Sequence, residues 1–232
     1  MLASKAMINN VEIYSFESVE FFLDYITNEK KVLVAMNAEK ILKKDTRLKV
    51  IINNNIGYAD GVGAVMALKQ KGLDAIKIPG SEFWLDIVNR FYKLKSFYIV
   101  GSSQKVIDRT IEKLNNDFPA INIVGYRNGY LKDGEKEQLK SDIVEKKPDI
   151  VFVAQGTPAQ EYLMNDLMDV HKALYMGLGG SFDVYTGYKK RAPKFYLDLH
   201  LEWFYRLLKE PTRISRQYIL VKFLFLLKMK RL

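Results

Sequence analysis

A mainly parallel α/β sheet with helices on both faces, followed by a C-terminal basic amphipathic helical appendage, is the fold the sequence predicts. Three observations carry it. From about residue 32, short β-branched runs alternate with longer stretches of helical period, the pattern of strands joined by crossover helices. Most of these runs end in short, polar, glycine-rich segments: "MNAE" at 36–39, "YADGVG" at 58–63, "GSS" at 101–103, "GTPAQE" at 156–161 and "GLGGSFD" at 177–183. The formal charge of +9 falls entirely in the last stretch, where Lys189 to Leu232 holds twelve Lys/Arg against three Asp/Glu, while residues 1–188 balance at 24 of each sign.

Taken in order, "KVLVAMN" reads as a strand, and "KVIINNNIGYADG" as a strand or two short ones ending at Asp60. "VGAVMALKQKG" has helical period and stops at Gly72, a residue suited to the left-handed turn after a helix. "SFYIVG" is a buried strand, and "SSQKVIDRTIEKLNND" a helix that Ser102 or Ser103 can cap, with apolar residues at 106, 107, 111 and 114 on one face. "INIVGY" is the next strand. "KSDIVEKKPDIVFVAQG" supplies a helix and then a strand, and "TPAQEYLMNDLMDV" opens a helix with Thr157 as cap and Pro158 in its first turn. "KALYMGLGG" closes the series. In such a sheet ligands sit beyond the carboxyl ends of the strands, so the residues directly after each strand are the candidates for function. The backbone N–H groups there suit phosphate oxygens, although any α/β protein also needs glycine and serine for tight turns.

Several classes are excluded. Cysteine is absent, and His171 and His200 are too far apart for a helix-spaced metal pair, so neither disulfides nor a thiolate or histidine metal framework is expected. The N-terminus "MLASKAMINNVEIYSF" has no apolar segment of signal-peptide type, and a cytoplasmic location is expected. Tyr218 to Leu227 is an apolar run of about ten residues broken by Lys222, short of the roughly twenty that span a bilayer. In the tail the basic residues alternate with Leu, Phe, Tyr and Ile, a pattern suited to an anionic membrane surface rather than to nucleic acid. The expected division is therefore an α/β core over 1–188 and a membrane-associating appendage over 189–232. Phe204, Leu207, Leu208, Phe223 and Leu224 would enter the lipid. A homo-oligomer is compatible with this reading.

The segments "YADGVGAV", "KIPGSEF", "GSSQKVIDRTIEKLNNDFPAINIVGYRNGY", "PDIVFVAQGTPAQE", "GLGGSFDVYTGYKKRAPK" and "LEWFYRLLKEPTRISR", in this order, resemble the WecG/TagA/CpsF family of bacterial glycosyltransferases from about Asn37 to Arg216. The resemblance implies a Rossmann-like fold whose C-terminal appendage meets the membrane and closes over the active site. It also implies inverting transfer of a sugar, often N-acetylmannosamine, from a UDP-sugar to a polyprenyl-diphosphate-linked acceptor. The pathways implied are teichoic-acid, enterobacterial common antigen, capsular or exopolysaccharide synthesis.

Inversion needs a base for the acceptor hydroxyl, and Asp60, at a strand end facing the crevice, matches the family's proposed base; capping of the helix that starts at Gly61 is the alternative. No two aspartates are separated by one residue, so the D-x-D metal motif is missing and no cofactor is expected. Charge on the leaving diphosphate then falls to Arg206, Arg213 and Arg216, whose guanidinium forks suit phosphate oxygens and which match the family's appendage arginines; a solvated or lipid-facing stripe is the other reading. Asn37, Lys77, Gln160, Glu161 and Arg191 are the substrate-binding candidates. Three of them have a plainer alternative: a turn residue for Asn37, a capping box with Thr157 for Gln160, an acidic neighbour for Arg191. Two positions depart from the family pattern, Ala35 for Thr and Lys77 for Arg, and leave a glucose, galactose or uronic-acid donor open. Two rivals belong to other classes. "DGVGAV" with Glu82 some twenty residues on gives part of a dinucleotide fingerprint without its third glycine. The basic tail on a neutral body would also suit a non-catalytic membrane or nucleic-acid binder.

Overall fold

The structure, a computed structural model, describes residues 3–189, 196 and 214–232. Among the described residues eight strands form one sheet: β1 (Lys5–Ile8), β2 (Val11–Tyr14), β3 (Val32–Met36), β4 (Ile56–Ala59), β5 (Ser96–Gly101), β6 (Asn122–Arg127), β7 (Ile150–Ala154) and β8 (Leu174–Gly177). Their spatial order is β1-β2-β4-β3-β8-β7-β5-β6. Only the β1–β2 pair is antiparallel; every other pair is parallel.

The helices are α1 (Val19–Ile26), α2 (Ala38–Leu42), α3 (Thr46–Asn53), α4 (Val62–Gln70), α5 (Gly80–Phe91), α6 (Gln104–Asp117), α7 (Glu135–Lys146), α8 (Ala159–Val170), α9 (Ser181–Tyr185) and, at the C-terminus, α10 (Ile214–Lys228). The twofold alternation of side chains along each strand sorts them into two layers. Val32, Val34 and Met36 of β3, Tyr98 and Val100 of β5, and Val151 and Val153 of β7 face a cluster completed by α2, α3, α4, α7, α8 and α10. Leu33, Phe97, Ile99, Ile150 and Phe152 face the other side, with α1, α5, α6 and α9. Strands buried on both faces explain the unbroken apolar runs of β5 and β7.

The expected order of elements holds from β5 onward, and Val106, Ile107 and Leu114 of α6 are buried on one side as its period predicts. Gly72, at φ +79°, ends α4 as expected. Two stretches differ. The run starting at "KVII" is the end of α3, not a strand: Asp45 caps that helix by accepting from Leu48 N at 2.9 Å, and Leu48, Ile51 and Ile52 recur at helical spacing on its buried side. The segment before residue 16 is a hairpin, β1–β2, turned by Asn9 and Asn10 at φ +49° and +62°; both central residues being left-handed is the requirement of a two-residue hairpin turn, and asparagine tolerates it.

Phe223 and Leu227, one turn apart on α10, are buried against α2 and α4. The ring of Phe223 would stand 3.1 Å from a Cβ at Gly63, so glycine there makes the close approach possible. Gln70 Nε2 donates to Leu227 O at 2.8 Å and extends the contact along α4. The expected insertion of Phe223 into lipid is thereby corrected: it belongs to the protein core. Tyr218, Val221 and Phe225 point outward and are exposed. Phe204, Leu207 and Leu208 lie outside the described residues. None of the described helices is long and apolar enough to cross a membrane.

Gly101 ends β5 at φ +143°, and a Cβ there would lie 2.5 Å from the carbonyl oxygen and 2.6 Å from the Cβ of Ala154 on β7. Gly101→Ala is therefore expected to cost about 3 kcal/mol or more, from a backbone conformation that L residues avoid together with a clash against main chain that cannot give way. A fall in the urea midpoint at constant m-value measures it.

Candidate active site

Two groups of residues gather at the carboxyl end of the sheet. The first is built on β3 and β4. Asn37 follows β3 directly and caps α2, its Oδ1 accepting from Lys40 N at 3.0 Å. Asp60 follows β4, its N–H donating to Met36 O at 3.0 Å so that the two strand ends stay paired past the ladder. Asp60 Oδ1 accepts from Gly80 N at 2.7 Å. The carboxylate therefore faces the positive N-terminal end of α5, whereas α4, which begins two residues after it, has Gly61 at its cap and no side-chain capping bond.

Beneath Asp60 lies the hydroxyl of Tyr58, buried and without a hydrogen-bond partner among the described residues. Burial, and then the nearby charge of Asp60, raise the Tyr58 hydroxyl well above its ordinary pKa, so it stays protonated. A Cβ on Gly80 would meet the Tyr58 hydroxyl at 2.8 Å, Ala35 Cβ at 3.6 Å and Asp60 Oδ1 at 3.6 Å. These four residues thus surround one small space, and Ala35, the first departure from the family pattern, stands in it. Lys77, the second, is exposed on the loop leading to α5, next to Ile78, whose N–H donates to Ala59 O at 2.8 Å.

The second group surrounds a cavity of about 410 Å³ lined by residues that follow β5, β6, β7 and β8, among them Ser102, Tyr130, Gln155, Gly156, Gly179 and Asp183. It lies where the chain leaves β5 toward β6 and leaves the neighbouring β7 toward β8, a topological switch point of the kind that holds ligands in open α/β sheets. Ser102 adopts φ +53°, a left-handed conformation unusual for serine. It is held by its own N–H to Ala154 O at 3.0 Å and by Gly129 N donating to its carbonyl at 2.8 Å. Gln155 Nε2 adds a bond to Gly129 O at 2.6 Å. Ser102, Gly156, Ala159, Gly179, Gly180 and Asp183 of its lining fall in the "GSS", "GTPAQE" and "GLGGSFD" segments that the sequence marks as candidates, whereas Gly129, Tyr130 and Gln155 do not.

Gln160 and Glu161 lie below the turns rather than on the cavity wall, 4% and 1% exposed. Gln160 Oε1 accepts from Gly156 N at 3.1 Å and Gly179 N at 2.9 Å, joining the turns after β7 and β8. Its contact with Gly156 is close to the capping alternative that the spacing allowed. The Thr157 hydroxyl does not cap in that pattern but donates to Glu161 Oε1 at 3.0 Å. The same oxygen accepts from Lys40 Nζ at 2.7 Å and from Gln160 Nε2 at 3.2 Å.

Arg191, Arg206 and Arg213 lie outside the described residues, as does the side chain of Arg216, whose backbone is in the first turn of α10. Among the described residues no group of three or more His, Asp or Glu is placed to hold a metal ion. The glycines of the partial dinucleotide fingerprint serve packing: Gly63 admits Phe223, and a Cβ on Gly61 would come 3.3 Å from Asn37 Cβ.

The model of the Glycosyl transferase WecG/TagA/CpsF family matches residues 7–232. With that match over nearly the whole length, and an acidic residue and a ligand-sized cavity at the carboxyl edge of a parallel sheet, the chain belongs to the WecG/TagA/CpsF family of glycosyl transferases.

Proposed function

We propose that the protein transfers a hexose, N-acetylmannosamine or a close relative, from a UDP-sugar to a polyprenyl-diphosphate-linked acceptor, with inversion, in the synthesis of a cell-surface polysaccharide or teichoic acid. The observation that carries this reading is the pairing of Asp60 with the cavity at the β5–β7 switch point. β4 and β7 are three strands apart in the sheet order, about 14 Å at ordinary inter-strand spacing, a span that a nucleoside diphosphate sugar bridges. The cavity, within the size range of small-molecule sites, takes the nucleotide, and the sugar extends past Asn37 toward Asp60.

Asp60 then receives the proton of the acceptor hydroxyl as that oxygen bonds to the anomeric carbon. The anomeric bond to the β-phosphate oxygen breaks and its electron pair leaves with UDP. Arg206, Arg213 and Arg216 are assigned the charge of the diphosphate, and Arg191 and Lys77 contacts to the substrate. The acceptor's lipid places the enzyme at the cytoplasmic face of the membrane. The exposed Val62 and Met66 of α4, which starts two residues after Asp60, and Tyr218, Val221 and Phe225 of α10 supply an apolar surface, and Lys222 and Lys228 supply positive charge for acidic lipids.

Titration of the purified protein with UDP, NAD and RNA tests the class: saturable binding of UDP alone is expected, and preference for NAD or RNA would favour one of the rival classes instead. Because the D-x-D motif is absent, transfer is expected to persist in excess EDTA. A loss that Mg²⁺ or Mn²⁺ restores would contradict the assignment of diphosphate charge to arginine.

A further inference from the structure

We infer that the buried Lys40–Glu161 ion pair is a positioning strut that couples occupancy of the nucleotide cavity to the strand end carrying Asn37, beside Asp60. The inference rests on the reading of the cavity as a nucleotide site. Lys40 and Glu161 are 121 residues apart in sequence and meet at 2.7 Å, their side chains 7% and 1% exposed. On one side, Glu161 Oε1 gathers Lys40, Thr157 and Gln160, and Gln160 in turn holds the N–H groups of Gly156 and Gly179. Both glycines line the cavity. On the other side, Lys40 belongs to the first turn of α2, where its own N–H is bonded to Asn37 Oδ1. An unbroken chain of polar contacts therefore runs from the cavity wall to Asn37, crossing beneath the end of β8.

Two features argue that this chain positions rather than merely stabilises. A buried ion pair is a poor source of stability, because desolvating both charges offsets most of their attraction. The pair here is also unevenly satisfied: Glu161 Oε1 accepts three donors, while Oε2 is buried with no hydrogen-bond partner among the described residues. In addition α2 has only five residues, too few to be stable alone. Its far end is held by Asn9 Nδ2 donating to Ile41 O at 2.7 Å, and its near end, which carries Asn37, by the strut. A shift of the Gly156 and Gly179 turns on nucleotide binding is thus delivered to the sugar side of the site.

Hydrogen exchange with UDP as the probe tests this without any knowledge of the sugar. In the wild type, saturating UDP is expected to slow amide exchange in α2 as well as in the turns at 156 and 179. Lys40→Met/Glu161→Gln removes both charges together, so its thermal midpoint is expected to stay near that of the wild type, and it is compared with the wild type with UDP saturating for each. The protection of α2 is expected to vanish while that of the turns persists. Should that variant not fold, Lys40→Met/Glu161→Met, which replaces the pair by apolar side chains of similar length, is read in the same way. Protection of α2 that survives in the variant, or a wild type that binds UDP with no change in α2, overturns the strut. A wild type that does not bind UDP refutes the nucleotide reading itself, a different failure visible in the same titration.

Discussion

Replacing Asp60 with asparagine is expected to lower sugar transfer by about two orders of magnitude or more while UDP binding survives. Asparagine keeps the shape of the side chain, and its Oδ1 can still accept from Gly80 N, the bond that Asp60 makes at 2.7 Å. The N-terminus of α5 therefore stays capped, and the cavity, three strands away in the sheet order, is untouched. What the amide cannot do is take a proton from the acceptor hydroxyl. Asp60→Ala loses the cap as well and is expected to cost about 1 kcal/mol of stability in addition. Asparagine and alanine variants alike in rate but unlike in melting temperature would separate the two roles. A wild-type rate in Asp60→Asn would remove the residue from the chemistry and leave it a structural cap.

Phe223→Ala is expected to be the most damaging change in α10, at about 3 to 5 kcal/mol. The ring is fully buried against Gly63 and the α2–α4 surface, and small residues line that surface, among them Ala38, Ala64 and Ala67, so little can move in to fill the space. Phe225, two residues on, is exposed, and Phe225→Ser is expected to leave stability within about 0.5 kcal/mol while weakening sedimentation with anionic vesicles. Denaturant titration and vesicle sedimentation of the two variants thus test opposite faces of one helix. Equal vesicle binding by Phe225→Ser and wild type would argue against the outer face as the lipid contact.

The parts of the fold legible in the sequence are those in which burial writes a period. β5 and β7 are covered on both sides and read as continuous apolar runs, and α6 carries Val106, Ile107 and Leu114 on one face. The four-residue strands of the hairpin β1–β2 show little alternation, and the Asn9–Asn10 pair is its one turn signal. The β-branched residues of the "KVII" run suggest a strand; Asp45 as a cap and the spacing of Leu48, Ile51 and Ile52 decide for helix. In α5, Phe83, Trp84, Ile87, Val88 and Phe91 repeat at helical spacing.

In the site, positions after strands were legible and partners were not. Asp60 stands at a strand end as expected, but its bond to Gly80 joins residues twenty apart across a crossover. The expected alternative, a cap on the helix directly after it, named the right kind of bond and the wrong helix. Likewise "TPAQE" marks the start of α8, while nothing in its spacing tells that Gln160 joins two turns or that Glu161 meets Lys40. Such pairings depend on strand order, which local period does not contain.

Incubation of the purified protein with a panel of UDP-hexoses and a polyprenyl-diphosphate-sugar analogue tests the central claim most directly. The expected result is release of UDP together with an acceptor one hexose larger, its new linkage inverted at the anomeric carbon. Release of UDP without elongation of the acceptor, or a product of retained configuration, would contradict it.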